Sequence, residues 1–212
     1  MIRSNSFYIL IILIGLNILI RLASDNYIVT NKLIEASLRR TLNFRKSSRI
    51  HRSKRNIDLV NYFFLPLYYL IKTGALSLWI LSATIFIGYR NSFQEIFRTV
   101  IIAEFVWLIP SYITLTWFGF IDTGYSLLDV QYFELLSLLN FFNASEIESW
   151  IIFPLQSLNL FEIAYMFILA IGIKKILRKD YMDVLNFTVS VYGTALVTWI
   201  VFITLLGINL TA

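Results

Sequence analysis

Residues Leu155–Lys175 read LQSLNLFEIAYMFILAIGIKK. From Leu158 to Ile173 the stretch is apolar apart from Asn159, Glu162 and Tyr165, and it closes on Lys174 and Lys175. About 20 helical residues, rising 1.5 Å each, cross the ~30 Å hydrocarbon core of a bilayer. The run therefore predicts a helical span over Ile151–Ile173. In such a helix Asn159 and Glu162 lie three residues apart on one face. A charge at mid-span costs about 2.5–3.5 kcal/mol on the insertion scale. Glu162 and Asn159 are thus expected to face the interior of a helical bundle rather than acyl chains.

The rest of the chain agrees that its outer solvent is lipid. Of 212 residues, 58% are hydrophobic and 15% charged, with a mean hydropathy of +0.72. Soluble domains carry about a quarter charged residues. Further apolar runs cover Phe7–Leu22, Val60–Tyr89, Arg98–Phe118 and Asn186–Ile208. Pro66 and Lys72-Thr73-Gly74 interrupt the second of these, which predicts a kinked helix or an interfacial turn before a span from about Ile71. Glu104 and Pro110 lie inside the third. The segment YSLLDVQYFELLSLLNFF, Tyr125–Phe142, is expected to lie flat on the surface as an amphipathic helix, because Asp129 and Glu134 are costly in a span. The predicted fold class is all-α, a polytopic membrane helical bundle of about five spans with one interfacial amphipathic helix. Only helices and closed barrels satisfy the backbone in lipid, and these runs are too continuously apolar for barrel strands.

Three regions follow: a first membrane helix over 1–22, a basic surface loop over 23–59 and a helical membrane domain over 60–212. Nine of the chain's 18 Lys and Arg residues lie between Ala23 and Leu59. Such a loop is expected in the cytoplasm. Arg39, Arg40, Arg45, Lys46, Arg49, Arg52, Lys54 and Arg55 are candidates for contact with anionic lipid headgroups, each worth about 1 kcal/mol near the surface. No nucleic-acid-binding fold accompanies the patch, so no nucleic-acid partner is expected. A second basic segment, Lys174–Lys179, follows three spans later. The same rule wants both segments on one side, whereas five spans put them on opposite sides.

The chemistry-bearing motifs are few. There is no cysteine, which excludes disulfides and thiolate nucleophiles, and the one histidine is His51. No Gly-rich phosphate loop, nucleophile elbow or His-Glu-x-x-His is present. No enzyme activity, metal or cofactor is expected. The candidate intramembrane polar residues are Glu162, Asn159, Glu104 and Lys72. At 1.5 Å per residue, Glu104 lies about 9 Å inside Arg98, Glu162 about 18 Å inside Lys174 and Lys72 about 25 Å inside Tyr89, three different levels. For Glu162 three states are open: protonated and hydrogen-bonded, ionised and paired with Lys72, or lining a water-filled path. Two functions follow from these groups. One is a non-enzymatic scaffold or adaptor with a membrane-protein partner or a second copy of itself. The other is a small transporter or accessory channel subunit.

The link GYRNSFQEIFR (Gly88–Arg98) leads into a helix with a mid-span proline, and LNLFEIAYMFILAIGIKK precedes a last span. This order resembles the Yip family of Ypt/Rab-interacting membrane proteins, in its bacterial branch, over about Leu59–Gly207. A single Gly88 stands where that family often has a double glycine. The resemblance implies a five-span helical protein without catalytic residues, whose eukaryotic members act in vesicle traffic at Golgi and endoplasmic reticulum membranes; a role in membrane organisation or trafficking-like processes is the expectation here. For a bacterial member it implies the cytoplasmic (inner) membrane.

Overall fold

The computed structural model describes residues 2–30, 33, 47–143 and 146–211, with backbone alone at 2–5, 47–61, 128, 131, 210 and 211. In chain order the elements are α1 (Ile2–Tyr27), α2 (Ser47–Phe86), α3 (Phe93–Glu104), a 3-10 turn (Phe105–Trp107), α4 (Leu108–Thr116) and a π turn (Trp117–Ile121). Then follow α5 (Leu127–Tyr132), a 3-10 turn (Leu138–Phe141), α6 (Ser149–Ser157), α7 (Leu160–Leu177) and α8 (Tyr181–Thr211). No strand occurs among the described residues, only an isolated antiparallel bridge between Ser137 and Asn159. Four helical stretches are long and apolar enough to cross a membrane: Ser6–Tyr27, Tyr62–Phe86, Phe93–Ile121 and Tyr181–Asn209. The chain is thus all-helical, with the spans an integral membrane protein requires.

Several boundaries differ from the sequence expectations. Pro66 lies inside the 40-residue α2 without breaking it. One missing N–H in so long a ladder is tolerated, as in many membrane helices. The same helix is described from Ser47 on, so residues 47–59 of the expected basic loop have a helical backbone. Pro110 sits just beyond the Phe105–Trp107 turn, where tighter 3-10 winding accommodates the lost donor, and a π turn ends this composite helix. Tyr125–Phe142 is not one helix. Its α-helical part ends at Tyr132, and Leu136 adopts a left-handed φ of 56° before the second 3-10 turn.

The stretch first quoted is also not one helix. It breaks at Leu158–Asn159, where the backbone is extended. Asn159 caps α7: its side chain accepts from the Glu162 N–H at 2.9 Å, and its Nδ2 donates to the Gln156 carbonyl at 3.1 Å. Asparagine is among the strongest N-cap residues. The broken backbone is paired across the bridge, with Leu138 N–H donating to the Leu158 carbonyl (2.9 Å) and Leu160 N–H to the Leu136 carbonyl (3.1 Å). These bonds explain why the run stops being helical there: the exposed backbone groups find partners in the 136–138 segment.

The chain forms two compact units. One comprises Met1–Leu10, Lys72–Trp107 and Glu134–Ala212. In it α8 packs against both α6 and α7, and α3 against α7. Its core contains Ile80, Ile96, Val100, Ala103, Val106, Tyr165, Leu169, Ile173, Val184 and Tyr192. A Cβ on Gly172 of α7 would lie 2.2 Å from Thr99 Cγ2 of α3, so the close approach of these helices depends on that glycine. The other unit comprises Ile11–Ile71 and Leu108–Phe133. There Phe118 packs edge-on against Tyr125 and Phe133, each with ring centroids 4.8 Å away. The Tyr125 hydroxyl donates to the Ile28 carbonyl at 3.0 Å, and that of Tyr62 to the Asp25 carboxylate.

Candidate functional site

The first unit holds a buried polar cluster drawn from four helical segments. Lys72 of α2 places its Nζ 2.8 Å from Oε2 of Glu104, at the end of α3. The Glu104 side chain is fully buried and that of Lys72 is 35% exposed. The other Glu104 oxygen accepts from the Tyr165 hydroxyl of α7 at 3.1 Å. One turn earlier on α7, Glu162 accepts from the Tyr192 hydroxyl of α8 at 2.6 Å. The two tyrosine rings lie against each other, centroids 5.0 Å apart, and join the two carboxylates into one continuous cluster. Trp107 flanks it, 6.3 Å from the Tyr165 ring and 5.6 Å from Lys72 Nζ.

Each local choice has a reason. Buried tyrosine hydroxyls need acceptors, and the two carboxylates supply them. Lys72 reaches Glu104 through its long apolar stem while its ammonium gains the face of Trp107. Trp107 lies in the 3-10 turn immediately after Glu104, so the winding that accommodates Pro110 also sets this indole beside the pair. Glu162 occupies the first turn of α7, where an acidic group is favoured by the helix dipole.

The three levels expected for Lys72, Glu104 and Glu162 are corrected by this geometry. The expectation measured depth from Tyr89, Arg98 and Lys174, none of which is a helix end. From the ends at Phe86, Phe93 and Leu177, the same groups lie about 21, 16 and 22 Å along their helices. A lysine stem spans the remaining difference. The pairing of Lys72 with Glu162 is corrected too, since the ammonium meets Glu104. Asn159 does not stand beside Glu162 on a continuous helix face but caps the helix that Glu162 begins.

Tyr165, Tyr192 and Trp107 were not among the sequence candidates. A signal for the cap was present: Asn159-Leu-Phe-Glu162 has the cap-x-x-acid spacing of a helix start. Nothing local marks Tyr192 as a partner 30 residues away. Of the candidate headgroup residues, Arg39, Arg40, Arg45 and Lys46 lie outside the described residues. Arg49, Arg52, Lys54 and Arg55 fall on the N-terminal turns of α2.

The second unit holds its own cavity of about 650 Å³, whose lining includes Asn17, Arg21, Ser24, Tyr68, Ser111 and Thr114. Outside the candidate spans, Ser126 and Asp129 form a reciprocal cap at the start of α5. Ser126 N–H donates to Asp129 Oδ2 at 2.7 Å, and Asp129 N–H to Ser126 Oγ at 3.3 Å. The backbone bond first, and the hydroxyl second, hold the Asp129 carboxyl below its usual range. Burial pushes the Glu134 carboxyl above its usual range. Among the described residues no three His, Cys, Asp or Glu side chains gather as a metal site would require. Set against protein-family models, curated proteins and solved structures, the chain matches none of them, so the Yip resemblance stands on the quoted motifs alone.

Proposed function

We propose that this chain is a non-enzymatic membrane scaffold or adaptor of the Yip type, resident in a bacterial cytoplasmic membrane. The observation that carries the reading is mutual satisfaction in the buried cluster. Lys72 pairs with Glu104, Tyr165 bonds Glu104 and Tyr192 bonds Glu162, so the costly polar groups tie helices together. Removing one partner from such a set leaves a buried donor or acceptor unpaired, at about 1–3 kcal/mol for a neutral group and more for a charge. The cluster's role in this reading is to hold α2, α3, α7 and α8 in one arrangement. The basic 23–59 segment then engages anionic headgroups and membrane-protein partners, or a second copy of the chain.

A second reading, a small transporter or accessory channel subunit, is favoured by one observation. Glu162 stands beside the break between α6 and α7, and discontinuous helices are where many transporters bind substrate and coupling ions. Reconstitution of the full chain in liposomes with an internal pH dye separates the two. The scaffold reading expects proton and small-ion flux equal to that of protein-free vesicles, and a lowered unfolding temperature for Glu104→Ala. A flux that Glu162→Gln abolishes, with the fold intact, overturns it.

A further inference from the structure

The end of α7 and the turn into α8 form an open hollow of about 590 Å³ lined by Ile171, Lys174, Lys175, Arg178, Lys179 and Tyr181. Four of its six lining residues are cationic. Their convergence depends on the α7 cap, at which Arg178 adopts a left-handed backbone (φ 53°, ψ 39°) and donates its N–H to the Lys174 carbonyl at 2.9 Å. That conformation crowds the Cβ of an L-residue and is ordinarily given to glycine. Here it turns the chain so that Arg178 and Lys179 line the same hollow as Lys174 and Lys175. Lys174 Nζ lies 5.9 Å from the Tyr181 ring centroid. The nearest acid in sequence, Asp180, is engaged elsewhere: its carboxylate accepts from Met182 N–H at 3.2 Å in the first turn of α8.

We infer that this hollow is a binding site for the phosphate headgroup of an anionic membrane lipid, separate from the basic 23–59 segment. The lipid source, rather than a free anion, follows from position. The candidate span of α8 begins at Tyr181, so the hollow lies where a bilayer's headgroups meet its acyl region. An aromatic ring at that level and the exposed Ile171 beside the cations suit a molecule with a charged head and an apolar tail. Arginine supplies a fork of donors to phosphate oxygens, and the lysines add point charge. Occupancy by arginine of a glycine-like position is what a ligand contact, rather than the cap, accounts for.

The test uses the full-length chain in nanodiscs of phosphatidylcholine, with phosphatidylglycerol added in steps. The readouts are the bound phosphatidylglycerol and phosphatidylcholine, each quantified by mass spectrometry after exchange into detergent, and the unfolding temperature. The expected result is selective retention of phosphatidylglycerol, at least tenfold weaker in Arg178→Gly and in Lys174→Gln/Lys175→Gln. Arg178→Gly relieves the left-handed residue, so its unfolding temperature without phosphatidylglycerol stays equal or rises; a cap-forming role alone leaves lipid retention unchanged. Charge reversal at Arg39, Arg40, Arg45 and Lys46 is expected to leave retention at this site in place. Equal retention of the two lipids, or unchanged retention in Arg178→Gly, overturns the proposal. So does an identical thermal shift with inorganic phosphate alone, which would make this a free-anion site.

Discussion

Two helix starts in this protein carry the same local signature and use it differently. At α5, Ser126 and Asp129 close on each other, and both ends of the motif are spent within four residues. At α7, Asn159 and Glu162 have the same spacing, yet only half of the exchange is made. Asn159 takes the Glu162 N–H, while the Glu162 carboxylate turns away to the Tyr192 hydroxyl of α8. The surroundings account for the difference. Asp129 is exposed, and its own N-cap backbone is a good donor. Glu162 is buried at 9% exposure beside a tyrosine hydroxyl that needs an acceptor. An acid three residues after a cap therefore announces a helix start, and its burial decides whether the carboxylate serves the helix or the neighbouring one.

The contrast can be broken from the interior side first. Tyr192→Phe keeps the ring contact with Tyr165 but leaves the Glu162 carboxylate without its donor. We expect a loss of about 1–3 kcal/mol, seen as a lower unfolding temperature in detergent. An unchanged temperature would mean that Glu162 gains nothing from α8. Asn159→Ala removes the half that both motifs share. It should cost about 1 kcal/mol and raise hydrogen exchange at the Glu162 amide, while Asn159→Ser restores both. The matching Ser126→Ala should cost less, because α5 has only six residues and little to unravel.

Acid provides the gentlest separation. The folded Asp129 carboxyl is held below its ordinary value, so its contribution is complete above about 3.8 and fades as pH falls through the lowered folded value. Protection of the Ser126 amide should follow that loss. The Asn159 amide side chain does not titrate, so protection of the Glu162 amide should stay flat over the same range. Parallel loss at both caps would show that acid acts globally rather than on the Ser126–Asp129 exchange.

How much of this was legible in the chain differs by scale. Apolar run length located the four long helices, because lipid leaves the backbone little choice. It also anticipated that Glu162 would be buried with a polar partner, because a carboxylate in such a run is costly. It failed at Leu158–Asn159, where run length argued for continuity and the cap-x-x-acid spacing argued for a start. The second signal prevailed because Leu136 and Leu138 supply backbone partners that no local reading of 155–175 contains. The pairing of Lys72 with Glu104 was hidden by counting from the wrong residues, and Tyr192 by a separation of 30 positions. The basic Lys174–Lys179 segment was visible as charge, but its hollow depends on one left-handed residue that composition does not reveal.

The contact between Gly172 and Thr99 has a consequence for how the sequence can drift. With 2.2 Å between a hypothetical Cβ and Thr99 Cγ2, positions 172 and 99 share one small volume. Neither can enlarge alone without parting α7 from α3, and the β-branched threonine has little rotamer freedom with which to yield. Among descendants of this sequence the two positions should change as a pair, alanine at 172 arriving with glycine or alanine at 99. Gly172 lies two turns beyond Tyr165, and Thr99 five residues before Glu104, so the inheritance of that pair also carries the alignment of a hydroxyl with its carboxylate.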